Sequence, residues 1–117
     1  NKNFKNCHIL LLGLAYKKNV DDDRESVTFK VMDLLTKKGA QVDYNDPYIP
    51  KIKPRREYTK FIGKESVALD HINQYDITVV LTDHSAYDYD VIVQHSKVLI
   101  DTRNACEKIK SSKIIKA

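Results

Sequence analysis

The sequence predicts an α/β fold: an open, mostly parallel sheet with helices on both faces. Three observations predict it. Ile9-Leu10-Leu11-Leu12 is an unbroken apolar run, which suits a strand covered on both sides. Segments of helical period alternate with short apolar or β-branched runs down the chain. Gly, Asn, Asp and Pro fall at the changeovers.

The first strand is expected at His8–Leu12, followed by a turn at Gly13. Val27, Val31, Leu34 and Leu35 then recur at helical spacing, with Lys30, Asp33, Lys37 and Lys38 on the other side. Ser26 or Asp23 suits the N-cap and Gly39 the C-terminal left-handed cap. Gln41–Tyr44 reads as a second strand, ended by the turn Asn45-Asp46-Pro47. Residues 48–64 read as a long, solvated basic loop in which Pro47, Pro50 and Pro54 oppose regular structure. Ser66–Gln74 is expected to be a short helix, Ile77–Leu81 a strand, Tyr87–His95 a helix and Val98–Ile100 a strand. Ile109, Ile114 and Ile115 belong to a last small element.

The 117 residues suffice for one domain with a core, and the net charge of +4 suits an acidic ligand without implying nucleic acid. Two cysteines, Cys7 and Cys106, without a CxxC spacing argue against a disulfide framework or zinc and for a reducing, cytoplasmic setting. No apolar run approaches the roughly 18 residues of a membrane span, and the polar start, Asn1 to Asn6, is unlike a signal peptide. The chain begins with Asn and its only methionine is Met32, so a piece of a longer protein is expected.

In open parallel sheets ligands bind beyond the carboxyl ends of the strands. Three polar clusters are expected there: residues 16–24, 82–84 and 101–103. The first joins a strand, a glycine turn with lysines and a helix start, a combination that receives anions. Gly-Leu-Ala-Tyr-Lys-Lys has one glycine and lacks the GxGxxG dinucleotide fingerprint, so side chains would have to hold a phosphate. Lys17 and Lys18 read either as a solvated pair or as a phosphate ligand. Arg24 and Arg103 read either as surface ion-pair partners or as guanidinium forks aimed at a phosphate or carboxylate. Asp21, Asp22 and Asp23 lack the alternation of a calcium loop and fit a helix N-terminus better than a metal. His84 follows Asp83 at a strand end, a place that suits a general base, but with no convincing nucleophile beside it the structural reading is the favoured one. The basic loop, with Tyr58 and Phe61 among its cations, leaves nucleic-acid contact as an alternative, although no RNA- or DNA-binding signature occurs.

Gly13-Leu14-Ala15-Tyr16-Lys17, then Asp22, Arg24 and Ser26, form the pattern G-x-[AS]-[FY]-K-x-x-x-x-D-x-R-x-S. With Val42-Asp43-Tyr44-Asn45-Asp46-Pro47, Thr82-Asp83-His84, Tyr87-Asp88-Tyr89 and Asp101-Thr102-Arg103, it resembles the C-terminal UDP-sugar-binding domain of the UDP-glucose/GDP-mannose dehydrogenase family over almost the whole chain. NVDDDRES, YNDPYIP, Arg56-Glu57 and TDHSAYDYD look most like the UDP-N-acetylglucosamine 6-dehydrogenase branch, although Val27 stands where that branch often has proline.

The resemblance implies a Rossmann-like domain, residues 1–117, of an NAD-dependent enzyme that oxidises the C6 alcohol of a UDP-sugar to a carboxylate for polysaccharide precursors. It implies substrate contacts from Tyr16, Lys17 and Arg103, and a contact toward NAD from Arg24. Ser26 reads as a helix cap alone. The family's catalytic cysteine lies in a GxCxxKD-type motif absent from this chain, so neither Cys7 nor Cys106 inherits that role. No catalytic residue and no metal ligand is expected here, and the chain alone is expected to be inactive. The implied partners are a UDP-sugar and, in the full-length enzyme, further copies of the same chain, with neither nucleic acid nor membrane. A stand-alone nucleotide-binding regulatory module is the other alternative.

Overall fold

A computed structural model describes residues 5–15, 19 and 26–117. Five strands form one sheet: β1 (His8–Leu12), β2 (Gln41–Asn45), β3 (Ile77–Val80), β4 (Leu99–Asp101) and β5 (Ile114–Lys116). Their order across the sheet is β2-β1-β3-β4-β5, and every pairing is parallel. The final isoleucines thus extend the sheet as a fifth parallel strand.

The apolar run of β1 divides between the two faces because strand side chains alternate. Ile9 and Leu11 join Phe29, Met32, Val42 and Tyr44 on one side. Leu10 and Leu12 join Val80, Ile92, Val93 and Leu99 on the other. Leu10, Leu11 and Leu12 have no exposed surface, and full burial of such a side chain is worth about 1.5–3 kcal/mol. A long helix, α1 (Val27–Lys37), covers the first face, and a shorter helix, α2 (Tyr89–His95), covers the second.

Ser26 caps α1, its hydroxyl accepting from the Thr28 N–H at 3.0 Å. At the other end Gly39 has φ +99°, the Gly39 N–H donates to Thr36 and the Ala40 N–H donates to Leu35, a Schellman ending. The buried face of α1 differs from the expected one: Thr28, Phe29 and Met32 point inward, while Val27 and Leu34 are exposed. Apolar residues lie most of the way round this helix, and the sheet takes the bulkier Phe29 and Met32. The expected helix at 66–74 is instead a pair of 3-10 turns, Leu69–Gln74, broken at His71. α2 starts two residues later than expected because Asp88 caps it, accepting from the Val91 N–H.

Residues 48–64 correct the reading of a solvated loop. Ile49, Ile52 and Phe61 are buried in the α1-side core. Phe29 stacks on Tyr58 at 5.9 Å between centroids, and the Arg55 guanidinium lies 3.6 Å from the Phe29 ring centre. Lys60 pairs with Asp33, whose carboxyl is held below its ordinary value first by Lys60 and then by Lys37. The prolines limit regular structure, yet Ile52 exchanges backbone hydrogen bonds with Gly63 and Lys64, which folds the segment back on itself and turns its apolar side chains inward.

Candidate functional site

The strands end in register. Asn45, Leu12, Val80, Asp101 and Lys116 form one row across the sheet. The segments beyond this row therefore emerge on a single rim, the place where parallel sheets bind ligands.

Arg103 stands on that rim. Buried Asp101 sets its approach: Oδ1 accepts from the backbone N–H groups of Arg103 (3.1 Å) and Ala105 (3.0 Å), and Oδ2 from that of Cys106 (2.8 Å). The Arg103 side chain is half exposed, with Nε 3.7 Å from Asp83 Oδ1, a surface contact worth little by itself. A cleft of about 430 Å³ opens here, lined by Asp83, Asp101, Thr102, Arg103, Asn104 and Lys116. Two of the three expected clusters, 82–84 and 101–103, thus meet through neighbouring strands. The third falls largely outside the described residues: Tyr16, Lys17 and Arg24 all do, as do Lys18 and the three acids at 21–23.

The described residues on either side of 16–18 are anchored to the same rim. Thr82 Oγ1 donates to the Ala15 carbonyl at 2.7 Å. Asn19 donates its N–H to His84 Nδ1 at 2.7 Å, and its side chain exchanges two hydrogen bonds with Ser85. Asn19 has φ +64°, a left-handed conformation that asparagine tolerates.

Beneath them lies a pair that sequence reasoning missed. Asp46 Oδ2 accepts from the N–H groups of Leu14 (2.7 Å) and Ala15 (2.9 Å) and lies 2.9 Å from His84 Nε2. Asp46 Oδ1 accepts from the Tyr48 N–H at 2.8 Å. Both side chains are wholly buried. Burial pushes the Asp46 carboxyl upward, but the His84 bond and then the N–H groups of Ala15, Leu14 and Tyr48 outweigh it and hold the group below its ordinary value. An amide N–H can only donate, so His84 Nδ1 is bare and the ring proton sits on Nε2, directed at Asp46. The His84 ring packs between Tyr48 and Tyr87, and Tyr89 Oη donates to its carbonyl. His84 is a structural group with both nitrogens engaged.

Gly13 answers a different need from a dinucleotide glycine. A Cβ there would lie 2.3 Å from Thr82 Cβ and 2.6 Å from Thr82 N, at φ +102°. Close packing against Thr82 accounts for the glycine, and the turn has no second or third glycine of a dinucleotide cradle.

Burial raises the Cys106 thiol to about 11, with Asp101 adding to the effect, and Cys106 is wholly buried. It is a core side chain without nucleophilic character. Phe61 is buried and the partly buried Tyr58 stacks on Phe29, so both rings of the basic loop pack on the protein's own core. Among the described residues no group of ligands suits a metal, and no helix is long and apolar enough to cross a membrane.

The profile of the UDP-glucose/GDP-mannose dehydrogenase family, UDP binding domain, matches residues 10–108. The chain belongs to this family. As a UDP-glucose/GDP-mannose dehydrogenase family member it is 33% identical, over 112 residues, to a UDP-N-acetyl-D-mannosamine dehydrogenase from Methanococcus vannielii, covering 89% of this chain and 24% of the relative. It is 31% identical over 85 residues to a UDP-N-acetyl-D-glucosamine 6-dehydrogenase from Salmonella typhi, covering 73% of this chain and 19% of the relative. The solved structure of a UDP-D-ManNAc dehydrogenase from Pyrococcus horikoshii superposes with a TM-score of 0.70 and 26% identity, over 97% of this chain and 25% of that one. This family member thus spans about a quarter or less of the relatives it matches.

Proposed function

We propose that this chain is the UDP-binding domain of an NAD-dependent UDP-sugar 6-dehydrogenase. The enzyme oxidises the C6 alcohol of a UDP-hexose to a uronic acid for polysaccharide precursors. The observation that carries the proposal is the family match across residues 10–108, which contains Arg103 on the same sheet rim that anchors Ala15 and Asn19. Arg103 contributes a guanidinium fork to the diphosphate, and Lys17 a point charge beside Tyr16. Arg24 extends toward NAD. The cofactor's own cradle, the catalytic cysteine and the remaining sugar contacts belong to the rest of a longer, cytoplasmic, oligomeric enzyme, in which residues 1–117 are one domain.

The motifs at 19–26, 44–50 and 82–90 support UDP-N-acetylglucosamine as the sugar nucleotide. Two measurements test the reading. Calorimetric titration of the 117-residue chain with UDP should give weak, saturable binding that Arg103→Ala reduces. The product of the full reading frame should reduce NAD⁺ with UDP-N-acetylglucosamine, whereas this chain alone should not. Absence of UDP binding in both the chain and the full-length product would refute the proposal.

A further inference from the structure

Asp46 and His84 lie under the rim rather than on it, and neither has a free polar atom to offer a ligand. Their partners reveal a different task. Between them they take the N–H groups of Leu14, Ala15 and Asn19. Those residues flank 16–18 on both sides in sequence. The carboxylate holds the N-terminal side directly, and the imidazole holds the C-terminal side while bonded to the same carboxylate. Tyr48 and Tyr87 fix the ring plane. Asp46 comes from the end of β2 and His84 from beyond β3, so the clamp spans β1, which lies between them.

We propose that Asp46 and His84 are positioning residues for the nucleotide site: an Asp–His–Asn19 relay that holds both flanks of residues 16–18 and thereby sets affinity for UDP. The inference rests on the reading that this turn grips the diphosphate. Loop groups held before binding lose less freedom when the ligand arrives, and a buried, fully satisfied network holds them more firmly than surface contacts would.

The two imidazole nitrogens separate by substitution. His84→Gln keeps a donor near the Nε2 position for Asp46 and loses the acceptor for Asn19. His84→Asn keeps an acceptor near Nδ1 and loses the donor to Asp46. Amide hydrogen exchange of the 117-residue chain reads the clamp without any ligand. In His84→Gln the Asn19 amide should exchange at least about tenfold faster while Leu11 in β1 is unchanged. In His84→Asn the Asn19 amide should keep its protection. The UDP dissociation constant should weaken roughly five- to tenfold in His84→Gln and less in His84→Asn.

Unchanged Asn19 exchange in His84→Gln overturns the relay. Faster exchange with unaltered UDP affinity overturns the positioning role and leaves a purely structural one. Should neither the wild-type chain nor the full-length product bind UDP, the functional reading falls while the exchange result still decides the clamp. Should His84→Gln not fold, the wild-type imidazole nitrogen spectrum decides: scalar coupling between the Asn19 amide proton and an unprotonated Nδ1 supports the relay, and a protonated Nδ1 overturns it.

Discussion

Asp46 Oδ2 lies 2.9 Å from His84 Nε2, with both side chains shut off from solvent and 38 residues of chain between them. The carboxylate takes four donors, and the imidazole uses its second nitrogen as an acceptor. A buried pair this fully bonded is costly to break, because removing one partner strands the other.

Asp46→Asn should therefore destabilise the chain by about 2–4 kcal/mol at neutral pH, measured by urea denaturation. The variant replaces one of two acceptor oxygens with an NH2 donor, so either the Tyr48 N–H or the Leu14, Ala15 and His84 donors face a donor instead of an acceptor.

Acid should act through the same group. The Asp46 carboxyl is held below its ordinary value of 3.8 in the folded chain. Its stabilisation is then fully present above that value and is lost as pH falls from it toward the depressed folded one. Unfolding free energies taken from pH 7 downward should drop more steeply below pH 4 in the wild type than in Asp46→Asn. Parallel curves would refute the assignment.

Gly13→Ala should cost about 2–4 kcal/mol or prevent folding, through both the positive φ and the contact with Thr82. Thr82→Gly added to Gly13→Ala should fail to restore the melting temperature, because the Thr82 backbone nitrogen, 2.6 Å from the new Cβ, remains.

Phe61→Ala should lower stability by about 3–5 kcal/mol, as truncation of a buried aromatic does. A solvated loop would show a change within about 0.5 kcal/mol, so thermal melts of this one variant decide whether residues 48–64 belong to the core.

Thiol labelling should separate the cysteines. Native chain treated with iodoacetamide at pH 7 should carry label at partly exposed Cys7 and none at buried Cys106 until denaturant is added, as read by peptide mass spectrometry.

Much of the architecture was legible because it rests on short-range patterns. The run Ile9–Leu12 announces a strand covered on both sides, and Ser26 and Gly39 mark the ends of α1 by cap chemistry that is local. Three things were not legible. The inward face of α1 was misread because Val27 and Leu34 share its apolar spacing with Phe29 and Met32, and only packing chooses between the two stripes. The burial of Ile49, Ile52 and Phe61 was hidden by prolines and lysines that spoke of solvent. Asp46 sits in Asn45-Asp46-Pro47, where a turn explains an aspartate completely. A usable signal was its place at a strand's carboxyl end, with a histidine at another such end.

Taken alone, the amino-acid order determined the order of the strands and of the two α-helices, the parallel arrangement, the family and the rim on which a ligand belongs, since periodicity, caps and motifs are properties of neighbouring residues. Tertiary structure alone decided that His84 carries its proton on Nε2, that Asp46 receives four donors, and that Asp83 and Arg103 face one cleft. These facts depend on the register row Asn45–Leu12–Val80–Asp101, which brings distant segments level. A hydrogen bond between residues far apart in sequence has no local pattern to betray it until the sheet has paired.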